Sequence, residues 1–165
     1  MKQNTNRMMM MAAISMSVFG WCTALADTWT DDYGRVWTYT VKDGAATVGG
    51  NSYTSPAVNR STVGDIVIPD TLGGCPVTTI AGSAFQECAN IRSIVIPDSV
   101  TSIKRSAFAY CTSLRLLKFG NGISSINYGT SSQSQFVGGD NGGIKRIVTY
   151  DNPFNGCSAL AGIEF

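Results

Sequence analysis

From Ile80 to Ile126 the chain matches itself at a shift of 23 residues. Ile80 aligns with Ile103, Phe85 with Phe108, Cys88 with Cys111, Ile91 with Leu114, Ile94 with Leu117, and Ile96 with Phe119. The series returns further on, where Phe154, Cys157, Leu160, Ile163 and Phe165 lie 46 residues after Phe108, Cys111, Leu114, Leu117 and Phe119. Chance does not hold five apolar positions in register over two periods, so the chain carries an internal repeat. One such unit cannot bury its own apolar edge. Only stacking on its neighbours gives a continuous core.

The unit reads as a short strand followed by turns. In Ile94-Val95-Ile96 and Leu117-Lys118-Phe119 the first and third residues face one way and the second the other. Pro97 and Gly120-Asn121-Gly122 end these strands, because proline lacks a ladder donor and glycine turns freely. Val100 and Ile103, or Ile123 and Ile126, then re-enter the core. Ser106-Ala107-Phe108 and Cys111 follow, too few residues for a full helix, and predict a short helical turn. The expected architecture is a β-dominated repeat solenoid with one parallel sheet, to which each coil gives one short strand.

Residues 127–153 parse as a further coil. Ile144-Lys145-Arg146-Ile147-Val148-Thr149 repeats the pattern of Ile91 to Ile96, and Ser134-Gln135-Phe136 stands for Ser106-Ala107-Phe108. Strand cores then begin at Ile66, Ile94, Leu117, Ile147 and Ile163, spaced by 28, 23, 30 and 16 residues. The long first step carries Gly73-Gly74-Cys75-Pro76 as an insertion, and the last two steps balance an insertion against a deletion. About five coils are expected over 65–165, the last truncated at Gly162-Ile163-Glu164-Phe165, which leaves an open strand edge for pairing. Residues 27–64 do not repeat. Val36 to Val41 alternates, Lys42-Asp43-Gly44 offers a turn, Ala46-Thr47-Val48 pairs back, and Trp29-Thr30 supplies a third strand. A stack needs its end covered, so this segment reads as an N-terminal β-hairpin cap with a Ser/Thr/Gly/Asn-rich link from Gly49 to Gly64.

The phrasing Ile94-Val-Ile-Pro-Asp-Ser-Val-Thr-Ser-Ile103, then Ser106-Ala-Phe-x-x-Cys-x-Ser-Leu114, resembles the BspA-like leucine-rich repeats of bacterial surface proteins. Leu72-Gly73-Gly74-Cys75-Pro76-Val77-Thr78-Thr79-Ile80 is similar to a first-coil insertion common in that family. The likeness covers about residues 65–165; 127–153 departs from it, lacking the Cys and the second apolar step. It implies a leucine-rich-repeat solenoid that is secreted or surface-displayed. Some members are similar to adhesins that bind host matrix proteins or other bacteria.

The N-terminus agrees with that address. Lys2 and Arg7 precede an uncharged, largely apolar stretch from Met8 to Leu25, which closes on Ala24-Leu25-Ala26 before Asp27. This is the pattern of a signal peptide, residues 1–26, cleaved after Ala26. The rival readings are an uncleaved anchor and a lipid-modified Cys22; the small residues at 24 and 26 favour cleavage. The mature chain would then have 10 basic and 11 acidic residues and no membrane span.

Charge balance of this kind argues against nucleic acid as a partner. The absence of histidine removes His-dependent triads and most zinc and haem sites. Asp31-Asp32 is accounted for by the turn at Tyr33-Gly34 rather than by acid–base catalysis, and Asn59-Arg60-Ser61 fits a glycosylation acceptor only formally. Gly138-Gly139-Asp140-Asn141-Gly142-Gly143 has one carboxylate where calcium wants several oxygens, and reads as a flexible insertion. No catalytic residue, cofactor or metal is expected.

Cys88, Cys111 and Cys157 share one repeat position. They are read as free buried thiols packed beneath the preceding Phe, the alternative being a disulfide or metal ladder; Cys75, on the inserted loop, is the most exposed. Phe85, Phe108 and Phe154, with Phe136 displaced, form an aromatic spine. One surface stands out for binding. Strand middles Val67, Val95, Lys118, Val148 and Glu164 face outward, flanked by Ser93, Leu116, Arg146 and Gly162, with Arg92 and Arg115 one period apart nearby. Mixed apolar and basic groups on a ribbed sheet suit a protein or cell-surface ligand. The chain is therefore read as a non-enzymatic binding module acting through this face. Alternative readings are a spacer in a longer surface protein and a targeting module of a larger enzyme.

Overall fold

A computed structural model describes residues 26–50, 52–126 and 153–164. The chain begins with β1 (Asp27–Thr30), β2 (Val36–Lys42) and β3 (Ala45–Val48). It continues through β4 (Gly64–Val67), β5 (Thr71–Leu72), β6 (Cys75–Ile80), β7 (Ile91–Val95) and β8 (Ser102–Ile103). The last elements are β9 (Leu116–Lys118), β10 (Ser125–Ile126) and β11 (Gly162–Glu164). Two sheets result. One runs β1-β2-β3-β6-β8-β10, with β5 hairpinned onto β6; the other runs β11-β9-β7-β4.

Each repeat thus gives two short strands, not the single strand read from the sequence. The second set, such as Ser102–Ile103 and Ser125–Ile126, is two residues long and pairs in parallel at a step of 23. Two residues show no alternation, so only the pairing of neighbours reveals them as strands. Their inward row is Val48, Ile80, Ile103 and Ile126, facing the row Ile66, Ile94, Leu117 and Ile163 of the other sheet.

The expected helical turns are absent among the described residues. Ser83, Glu87, Ser106 and Tyr110 have φ between 56° and 62°, in the left-handed region, which interrupts any helical run. Local bonds such as Gln86 N–H to Ser83 O and Cys88 N–H to Phe85 O close single turns. The alternate donors leave the repeat: Phe85 N–H bonds Ala107 O at 2.7 Å, and Phe108 N–H bonds Pro153 O at 2.8 Å. A helix would use those donors internally. The turn segment instead forms a third ladder between repeats, and backbone satisfaction favours it.

The further coil read over residues 127–153 lies, apart from Pro153, outside the described residues. β11 pairs directly with β9, Ile163 opposite Leu117, and the Phe154 ring stacks directly on Phe108. Among the described residues four strands make up this sheet. The segment Ile144–Thr149, with Arg146 and Val148, and Phe136 lie outside the described residues, as do 1–25 and the glycine-rich run 138–143.

The cap is a three-stranded antiparallel unit, with Trp29 opposite Trp37 and Tyr39 opposite Val48, and β3 continues in parallel onto β6. Asp43 and Gly44 take the positive φ of the tight turn. The insertion in the first repeat is likewise a hairpin, with Gly73 and Gly74 both at positive φ between β5 and β6. The link is more than a tether: Ala57 and Val58 are buried, and Ala57 N–H bonds Ala84 O at 2.7 Å. It joins the turn ladder as the row ahead of Phe85.

Packing centres on the aromatic spine. Phe85 and Phe108 lie 5.3 Å apart at 9°, Phe108 and Phe154 5.5 Å apart at 9°, and Trp37 closes the stack edge-on at 6.3 Å from Phe85. Such spacing follows from one strand step, ~4.8 Å, plus the ring offset that aromatic pairs prefer. Close backbone approach matters at Gly120, where a Cβ would stand 2.5 Å from Asp98 N in the repeat before it. Phe108 is fully buried between two rings. Phe108→Ala is expected to cost about 3–5 kcal/mol, read as a lower denaturation midpoint; Phe108→Leu should lose clearly less.

Candidate functional site

The sheet β11-β9-β7-β4 turns one side to the core and the other to solvent. Its outward side has two rows set by strand register. Val67, Val95, Lys118 and Glu164 form one, and Asp65, Ser93, Leu116 and Gly162 the other. The structure thus brings together nine of the residues singled out from the sequence: these rows without Asp65, with Arg92 and Arg115 beside them. Val67, Arg92, Arg115, Lys118 and Glu164 are exposed; Ser93, Val95 and Leu116 are half-buried.

Asp65 was missed. A register shift between Gly64 and Asp65 places it opposite Ser93, whose hydroxyl donates to its carboxylate at 2.7 Å. The same shift leaves Arg92 as an extra residue, turned out at the strand entrance. Arg115 follows in the next repeat, its N–H bonded to Arg92 O at 2.8 Å. Both side chains line a groove of about 410 Å³ with Asn90, Thr112 and Ser113. At the strand exits the character reverses. Asp70, Asp98 and Asn121 stand with Lys118 around a groove of about 580 Å³, and Asp98 accepts the Asn121 N–H at 2.8 Å. The face is therefore basic at one rim and acidic at the other.

Beside β4 the cap adds aromatic surface that the sequence reading did not place. Trp29, Tyr33, Val63 and Val67 are 43%, 82%, 68% and 64% exposed. All four line a groove of about 640 Å³ with Arg35 and Asp65. Asp31 organises it. The Asp31 carboxylate accepts bonds from Arg35 Nε at 2.9 Å, Trp37 Nε1 at 3.1 Å, and the Tyr33 and Arg35 backbone N–H groups. Burial works to raise the Asp31 pKa, but the Trp37 bond, the two backbone bonds and the Arg35 charge outweigh it and hold the carboxyl below its ordinary range. Arg35 also lies 4.6 Å over the Tyr33 ring and donates to Asp65 O at 3.1 Å, which covers the outer edge of β4. Asp31 is a structural hub of the turn, as its neighbours Tyr33-Gly34 indicate.

The thiols follow the repeat. Cys88 and Cys111 are buried, Cys75 and Cys157 half-buried, and all four are free. Cys111 Sγ–H donates to Phe85 O and Cys157 Sγ–H to Phe108 O, each at 3.0 Å, so each thiol fastens its repeat to the one before. Burial pushes the Cys88 thiol up to about 11. Hydrogen bonding to Cys157 and burial push Cys111 upward as well. A thiol raised in the folded state contributes stability that is complete below its unfolded pKa of 9.0 and lost as pH rises through about 11. The denaturation midpoint should therefore fall between those pH values, and fall less in Cys88→Ala. Alkylation of the native protein, followed by mass, should modify Cys75 and Cys157 before Cys88 and Cys111.

The geometry fits what comparison with known proteins finds. Residues 78–165 match the family model of the BspA type leucine-rich repeat region, in 6 copies. No curated protein and no solved structure gave a match. The matched stretch takes in the Phe–Cys–Leu columns and strands β7 to β11 of the two parallel ladders, and on it the chain belongs to the BspA-type leucine-rich repeat family.

Proposed function

We propose that this chain is a secreted or cell-surface binding module, exported by residues 1–26 with cleavage after Ala26, and that it mediates protein–protein interaction or adhesion without catalysis. The repeats act as a solenoid scaffold whose outward sheet face meets the partner. The observation that carries this reading is the pair of outward rows, where Val67, Val95 and Leu116 stand beside Lys118 and Glu164 on strands held by the core behind them. Apolar surface with interspersed charge on a rigid face is what protein recognition uses: the apolar groups supply affinity and the charges orientation. The family supports it, since BspA-type repeats serve as surface and interaction modules. Arg146 and Val148, read from the sequence as part of the same face, remain part of the proposal.

Adhesion of the purified chain to matrix-coated surfaces and to other bacterial cells tests this. Lys118→Glu and Leu116→Ala are each expected to weaken binding about tenfold while leaving thermal unfolding nearly unchanged. If both variants bind as the parent does, the sheet face is not the binding surface.

A further inference from the structure

Val63 lines both the aromatic groove at the cap and the groove holding Arg92 and Arg115, so the two grooves adjoin at the start of β4 and offer a bipartite channel to a partner. Its two ends differ in chemistry. At the cap end Trp29 and Tyr33 offer exposed aromatic faces with two rotatable bonds each, a low-entropy way to bury a partner's apolar group. At the other end are two guanidinium groups, Arg92 on β7 and Arg115 immediately ahead of β9, neighbours through the Arg115 N–H to Arg92 O bond. Like charges directly opposite one another across a ladder repel. Among the described residues neither the Arg92 nor the Arg115 guanidinium has a hydrogen-bond or ion-pair partner; Arg35–Asp31 is the ion pair found there. Asn90, Thr112 and Ser113 add amide and hydroxyl donors around the pair, with no carboxylate among the described residues lining that end. Two of the channel's acids are already engaged, Asp31 by Arg35 and Trp37, and Asp65 by Ser93. Asp32 stands at the aromatic end, where it disfavours a second negative charge.

We propose that this channel docks an extended protein segment that places an apolar or aromatic side chain against Trp29 and Tyr33 and carboxylates on Arg92 and Arg115. The proposal rests on the chain being a protein-binding module, and it moves the anchor from the middle of the sheet to its junction with the cap. Guanidinium groups bind carboxylates through paired, charge-assisted bonds, and a carboxylate between the two relieves their repulsion. A polyanion such as a sulfated glycan fits less well, because the cap end presents aromatic and apolar side chains beside Asp32 and the basic end has two cations where polyanion binding draws on many. Strand addition is blocked by Arg35 on Asp65 O, so side chains rather than backbone carry the recognition.

The test is selection of short displayed peptides on the immobilised full chain, with affinities then measured against variants and against a heparin oligosaccharide. Selected peptides are expected to combine Asp or Glu with an aromatic or large apolar residue. Arg92→Glu and Arg115→Glu should each weaken them about tenfold, and Trp29→Ala with Tyr33→Ala should do the same. Unchanged thermal unfolding of the two arginine variants would exclude a folding defect. Peptides that ignore these changes but fail on Leu116→Ala or Lys118→Glu would overturn the channel and leave the sheet face standing. Failure to select any peptide, or binding of the heparin oligosaccharide that needs only the arginines, would overturn the proposal.

Discussion

The stacking of each residue on its own equivalent, one strand step away, is the constraint on which the rest of this molecule depends. Phe108 lies between Phe85 and Phe154, Leu117 between Ile94 and Ile163, and Ile103 between Ile80 and Ile126. Three backbone ladders hold that step: two sheets, and the turn row from Ala57 through Ala84 and Ala107 to Pro153. Because all three advance together, a change of side chain in one column is felt by its neighbours above and below. The Cys111 and Cys157 thiols add to the same arrangement, since each bonds a phenylalanine carbonyl in the repeat before it.

Such a stack needs an end that matches its cross-section. Trp37 meets the Phe85 ring edge-on, and its indole N–H finds Asp31 rather than being lost in the core. The cap joins the first sheet through β3, and through Ala57 it joins the turn row. It covers the apolar end, and in doing so sets Trp29 and Tyr33 beside β4. Stability and the aromatic surface therefore have one origin.

Outside the core the same stacking has a chemical consequence. A column repeats whatever charge the repeat carries, so Arg92 meets Arg115 at one rim while Asp70 and Asp98 line the other. In a non-repeating fold such like charges are commonly dispersed. Here they gather into rims of opposite sign across a sheet of short strands, and a partner meets an oriented field rather than a mixed surface.

Much of this was legible in the residues themselves. The 23-residue recurrence of Phe, Cys and Leu specified which side chains stack and that the sheets are parallel, because period and burial are one-dimensional properties. The hairpin at Asp43-Gly44 and the outward place of Val67, Val95 and Lys118 followed from turn chemistry and alternation. What the sequence could not decide was pairing across distance. Two-residue strands show no alternation, and a left-handed Ser83 looks like any serine. No local pattern reveals that β11 sits directly on β9. The shift beside Asp65 and the meeting of Val63 with both the cap and the arginines likewise arise only once backbone donors have chosen partners in other repeats. Sequence determined what each repeat buries, through local pattern; tertiary structure decided which repeats touch and what surface they make, through hydrogen bonds that no local pattern encodes.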